Sequence, residues 1–255
     1  MINDLFSAIL FLLIGGSTGF LSGFLGVGGG FVLVPLLIFL GIPTTTAIGS
    51  SLAYIVFTAI SGVIQHYKQR NFNLKLALLI SLGGIVTAQI GAIMTLYIET
   101  KYLEILLGLT LLIIAIRMFF QGYFNKEGKN NDTKYVEPKI FTMIVIGLFT
   151  GFLSGLLGVG GGFILVPLLV LISHIPVHTS IGTSLMALVG LSISGAVRHW
   201  LIGHIDPYLV GILTIGGILG APLGAKACKK VSPKKLQKVF SVILFTFAFK
   251  LLGQI

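Results

Sequence analysis

Gly19–Leu37 reads GFLSGFLGVGGGFVLVPLL, and Gly151–Leu169 reads GFLSGLLGVGGGFILVPLL. Seventeen of these nineteen positions are identical, the exceptions being Phe24/Leu156 and Val32/Ile164. Self-similarity of this kind marks a duplicated structural unit. After a one-residue insertion the correspondence continues. Pro43 pairs with Pro176, Thr46 with Thr179, Gly49-Ser50-Ser51-Leu52 with Gly182-Thr183-Ser184-Leu185, His66 with His199, and Gly83-Gly84 with Gly216-Gly217. The repeat unit is an apolar stretch, a glycine cluster, a short apolar piece containing a proline, and a Ser/Thr-rich opening to the next stretch.

The rest of the chain says what solvent surrounds these units. Of 255 residues, 55% are apolar and 9% are charged. Mean hydropathy is +1.05. A water-soluble domain carries about 25% charged residues, so this surface suits lipid better than water. Thirty-four glycines show no three-residue period, which excludes collagen, and the single Cys228 excludes a disulfide framework or a cysteine metal cluster. No metal site and no cofactor motif is present. The fold class expected is an all-α polytopic membrane protein.

A spanning helix needs about 20 apolar residues. Stretches of that length run over 5–25, 44–66, 74–98 and 102–121, and again over 140–157, 177–200, 207–228 and 234–253. Residues 31–42 and 163–175 are too short to span; as helices they are about 18 Å long at 1.5 Å per residue. Each follows a glycine cluster, so both are expected as half-helices that cross part of the membrane. This gives two repeats of about five hydrophobic segments: residues 1–124, then a polar linker at 125–138, then residues 139–255. The N-terminus lacks a basic region and a small-residue cleavage site, so no cleaved signal peptide is expected.

Lys and Arg concentrate on the cytoplasmic side of membrane proteins. An odd number of crossings per repeat puts fourteen of the basic residues on one side, including Lys68, Arg70, Lys75, the linker lysines and Lys226–Lys238, against Lys101, Arg198 and Lys250 on the other. An even number gives a near-equal split. The repeats are therefore expected to be inverted, with the linker cytoplasmic and both termini outside. The net charge of +10 then reflects orientation and contact with the lipid bilayer, not a nucleic-acid surface.

Inverted repeats with broken helices are the architecture of secondary transporters. Gly26, Gly28, Gly29 and Gly30, with Gly158, Gly160, Gly161 and Gly162, let the backbone turn and let a ligand approach it. Half-helices starting beyond them direct free N–H groups into the membrane interior, a setting for an anion. With no Lys or Arg mid-span nearby, the binding partners of a small anionic substrate are helix dipoles and hydroxyls. Candidate hydroxyls are Ser22 and Ser154, one turn before the loops, and Thr46, Ser50, Ser51, Thr179, Thr183 and Ser184. The structural reading of the same residues is helix capping or bonding to their own backbone. Gly15, Gly19 and Gly23, and Gly147, Gly151 and Gly155, form small-residue ridges suited to helix packing. His66 and His199 read first as snorkelling interfacial residues and alternatively as coupling or gating groups. Arg198 either steers anions or anchors the helix beside Trp200. Glu104 is expected near the membrane interface.

The duplicated GFLSG-(F/L)-LGVGGGF-(V/I)-LVPLL blocks, the proline-led Ser/Thr-rich third segments and the central linker resemble the TauE/SafE sulfite exporter family over nearly the whole chain. The resemblance implies a membrane permease, not an enzyme, for sulfite or related sulfur-containing anions and organosulfonates, driven by an ion gradient and exporting. It places the core at 19–35 and 151–167. A homo-oligomer is compatible with this reading. Two other function classes are a passive anion channel and an intramembrane serine hydrolase pairing Ser22 or Ser154 with His66 or His199.

Overall fold

The computed structural model describes residues 5–124, 139–171 and 175–231, with scattered positions between 238 and 253. Among these residues the regular structure is helical: α1 (Leu5–Leu25), α2 (Gly30–Phe39), α3 (Thr44–Lys68), α4 (Leu74–Met94), α5 (Thr100–Phe124), α6 (Ile140–Leu157), α7 (Gly162–Leu171), α8 (Val177–Leu201) and α9 (Pro207–Cys228). Six of them, α1, α3, α4, α6, α8 and α9, are long and apolar enough to cross a membrane. Their outward faces carry bare Phe6, Phe57, Leu82, Phe149 and Leu219. A soluble monomer rarely exposes so much contiguous apolar surface, whereas lipid solvates it.

The short helices are ten residues each, as the glycine–proline pattern predicts. α2 stops at Phe39 rather than Ile42 because Gly41 turns the chain with φ +82°. α4 ends at Met94 rather than Ile98, where Thr95 Oγ1 donates to the Ala92 carbonyl at 2.7 Å. α5 runs past Gly122 to Phe124, beyond the apolar end of its segment. The linker 125–138 and most of the 234–253 segment lie outside the described residues; the positions described between 238 and 252 are helical.

Glycine sets how the long helices meet. Any Cβ on Gly15, Gly19 or Gly23 of α1 would strike the backbone of Leu213, Gly217 or Ala221 of α9. Likewise Gly147, Gly151 and Gly155 of α6 lie on Ile80, Gly84 and Ala88 of α4. Both ridges thus act in packing, with backbones in direct apposition and no side chain between them. In both pairs the numbers rise together, so α1 runs parallel to α9 and α6 parallel to α4. The first helix of each repeat is therefore paired with the fourth helix of the other. Between these pairs, α3 crosses α8 antiparallel, with Gly62 against Leu185 and Gly195 against Leu52.

The same correspondence recurs in the hydrogen bonds. Ser61 Oγ donates to the Ile218 carbonyl at 2.8 Å, and its repeat counterpart Ser194 donates to Ile85 at 2.6 Å. Ser50 Oγ accepts from Asp206 N–H at 3.1 Å, and Thr183 Oγ1 accepts from Asn73 N–H at 2.9 Å. One departure is Tyr54, whose OH donates to the Gly15 carbonyl at 2.7 Å and pairs with Thr18 at 2.9 Å. Ala187 stands at the equivalent place.

Candidate functional site

α1 ends at Leu25, and the chain reverses over four residues. Gly26, Gly28 and Gly29 have φ of +75°, +82° and +81°; Gly158, Gly160 and Gly161 have +69°, +79° and +71°. Only glycine adopts such a run without steric cost. Gly29 then caps α2 without a side-chain acceptor. The first backbone bonds of the half-helix run from Val32 and Leu33 N–H to the Gly29 carbonyl, and from Ile164 and Leu165 N–H to Gly161. The N–H groups ahead of them lie in the first helical turn, where no carbonyl of the same helix stands four residues back to accept them.

The two loops touch. A Cβ on Gly30 would sit 2.8 Å from the Gly158 carbonyl oxygen, and one on Gly162 would sit 2.9 Å from the Gly26 carbonyl oxygen. Two aliphatic side chains fill the remaining space. Ile55 and Leu188, equivalent in the two repeats, both lie within van der Waals reach of the Cβ positions of Gly28 and Gly160. Both are fully buried. Sequence reasoning overlooked them, because one Ile and one Leu inside apolar helices carry no signal. The signal that existed was their shared repeat position one turn after Ser51 and Ser184.

The candidate hydroxyls divide into three groups. Ser22, Ser51, Ser154 and Ser184 are 0% exposed, and the Oγ of each has no hydrogen-bond partner. They are repeat equivalents, and they flank the loops. Ser51 Oγ lies 2.8 Å from the Cβ position of Gly30, and Ser22 Cβ lies 3.4 Å from that of Gly29. Ser50 and Thr183, in contrast, are occupied by the Asp206 and Asn73 N–H groups, so they hold the starts of α9 and α4. Thr46 and Thr179 are half-buried in the first turns of α3 and α8, two residues before Ile48 and Ile181, on whose backbone Gly158 and Gly26 pack. Ser192 and Thr214 are further unpartnered hydroxyls, outside the motifs singled out.

An unpartnered buried hydroxyl costs about 1–3 kcal/mol. Four of them beside two half-helix starts form a donor-rich lining, and donors in that arrangement complement an oxyanion.

The histidines do not snorkel. His66 is 1% exposed and His199 is fully buried. His66 Nε2–H donates to the Gly23 carbonyl at 3.0 Å and His199 Nε2–H to Gly155 at 2.9 Å. The glycine ridge explains this: without a Cβ on α1 or α6, an imidazole reaches the helix carbonyl itself. Each histidine thus holds the residue that follows an unpartnered serine. Neither imidazole bonds that serine, so a hydrogen-bonded nucleophile and base are not brought together. Arg198 Nε donates to Gln89 Oε1 at 3.1 Å, tying α8 to α4. Glu104 accepts from Thr44 Oγ1 at 2.6 Å, at the start of α3.

Comparison with known proteins follows the same outline. A probable membrane transporter protein of Methanocaldococcus jannaschii is 30% identical over 92% of this chain and 91% of its own length. Two from Bacillus subtilis are 30% identical over 86% of this chain and 87% of theirs, and 26% identical over 96% and 97%. No solved structure matches. Residues 11–251 match the family described as Sulfite exporter TauE/SafE, and with the duplicated glycine blocks inside that range the chain belongs to this family of membrane transporters.

Proposed function

We propose that the protein is a secondary transporter that exports sulfite or related small sulfur-containing anions by alternating access, around a site between the two glycine loops. The observation that carries this reading is the set of four buried, unpartnered serine hydroxyls beside two apposed half-helix starts. Neutral donors suit such a carrier: they hold an anion without the tight ion pair a buried Lys or Arg would form, so the anion can leave. The reading takes the two repeats as inverted. Parallel α1/α9 and α6/α4 pairs about an antiparallel α3/α8 pair support that arrangement. The membrane is taken as the cell membrane, with the linker cytoplasmic and both termini outside. Ile55 and Leu188 close the space between the loops, so substrate passage requires the two halves to part. This favours a carrier over an open channel.

Proteoliposomes loaded with labelled sulfite test the proposal. Saturable flux is expected, reduced in Ser22→Ala/Ser154→Ala with the protein still folded. Flux that rises linearly with concentration would indicate a passive channel. Flux unchanged by the serine variants would remove the site. Bulky replacements of Gly29 or Gly161 are poor probes, because a Cβ there meets the Thr18 or Thr150 carbonyl at 2.6 or 2.7 Å.

A further inference from the structure

The two repeats match closely at the loops but differ at the outer ends of α3 and α8. His66 and His199 are equivalent, and so are the next residues whose N–H groups return to them. Asn71 N–H donates to the His66 carbonyl at 3.1 Å, and His204 N–H donates to the His199 carbonyl at 2.8 Å. In the first repeat the side chain there is an amide, and Asn71 Nδ2 donates to Gln69 Oε1 at 3.3 Å. In the second it is a second imidazole. The His199 and His204 rings lie 5.6 Å apart between centroids, tilted by 34°.

The bond from His199 Nε2–H to Gly155 fixes its tautomer, so Nδ1 carries a lone pair. That Nδ1 is enclosed and has no partner, and His204 Nδ1 is also enclosed and without a partner. The His204 residue itself is half-buried, in the turn between α8 and α9, where solvent reaches it. The charged and titratable groups on the surrounding elements are otherwise engaged. On α8, Arg198 is bonded to Gln89 of α4. At the start of α9, the Asp206 carboxylate accepts from Tyr208 and Leu209 N–H. α3 presents Gly49 to this turn and, one turn nearer its start, Thr44, which donates to Glu104 of α5. α6 presents the Gly155 carbonyl, which directly follows Ser154.

We propose that His199 and His204 form a proton-binding pair whose protonation strengthens anion binding at the Ser154/Ser184 side of the site. The proton comes from solvent through His204, and the added positive charge sits at the residue following Ser154. No bond other than N–H is made, and the pair returns the proton when the anion leaves. By linkage, the anion raises the proton affinity of the pair by the same factor that the proton raises the anion's. This rests on the anion-transport reading above.

The test compares sulfite binding by the purified full-length protein with that of His204→Asn, from pH 8 to pH 5. Asn is the residue the first repeat already accepts at this position. Sulfite changes its own protonation in this range, but equally for both proteins, so the ratio of their affinities isolates the pair. The ratio is expected near one at pH 8 and to rise on acidification in favour of the unsubstituted protein, within the range of about 5–150-fold typical of coupled sites. Proton uptake on sulfite addition in weakly buffered solution should also be larger for the unsubstituted protein. A flat ratio with equal uptake overturns the inference while leaving the transport reading intact. No sulfite binding by either protein at any pH overturns both. If His204→Asn fails to fold, Asn71→His supplies the converse measurement: it should add proton uptake at the first repeat, and no added uptake counts against the pair.

Discussion

Gln69 Nε2 donates to the carbonyl of Ala225 at 3.1 Å, joining the end of α3 to the end of α9. The bond places the basic stretch 68–75 and the basic stretch beginning at Lys226 at one end of the helix bundle. Single cysteines at Gln69 and at Lys230 should therefore be labelled by an impermeant maleimide from the same face of the membrane. Labelling from opposite faces would contradict both the charge-based orientation and the helix packing.

The unpartnered serines give a prediction whose two signs are opposed. Removing a buried hydroxyl that has no partner relieves a desolvation cost of about 1–3 kcal/mol, so Ser51→Ala and Ser184→Ala should melt at or above the temperature of the parent protein. The same substitutions remove a donor to a charged ligand and should weaken sulfite binding about 10- to 100-fold. Thermal melts with and without sulfite read both effects in one experiment. A lowered melting temperature without ligand would mean these hydroxyls serve the fold.

Gly23 has the opposite character. A methyl group there meets the Ala221 backbone of α9 and forces the helices apart. Gly23→Ala should cost about 1–3 kcal/mol, as overpacking does, seen as a lower melting temperature in detergent. Gly211, with open space around its Cβ position, is the control.

Arg70 has φ +56°, while its repeat counterpart Gly203 has +77°. The left-handed conformation costs a non-glycine residue about 1–2 kcal/mol. Arg70→Gly should therefore stabilise the protein by about 1 kcal/mol, measured against an Arg70→Lys control that keeps the strain and the charge.

Burial holds the His204 imidazole below its ordinary value of 6.5. Its neutral form is thus preferred in the folded state, so the unfolded chain takes up a proton first as the pH drops. This contribution to stability is complete above pH 6.5 and is lost as the pH falls through the lower, folded value. His204→Asn should flatten that part of the stability profile in the absence of ligand.

Much of this was legible in the duplicated block. Gly-Val-Gly-Gly-Gly before Phe31 and Phe163 predicts a break followed by a short helix, because glycine permits the left-handed turn and ten apolar residues cannot span a bilayer. The ridge Gly15, Gly19, Gly23 announced close packing, though not its partner; which helix lies on it depends on α9, some two hundred residues later. The hydroxyls were less readable. Ser50 and Ser51 are neighbours of the same type, yet a helix turns them about 100° apart, so one holds Asp206 and the other faces the loop. The histidines misled because a position at a helix end suggests exposure, while the glycine on the neighbouring helix opens a buried carbonyl to them.

Because α1 rests on α9 and α6 rests on α4, each half of the polypeptide supplies a wall that the other lacks. A cut within the linker should leave two fragments that co-purify, and neither fragment expressed by itself should survive proteolysis in the cell. The first helix synthesised therefore finds its packing partner only when α9, the last of the six long apolar helices, has been made.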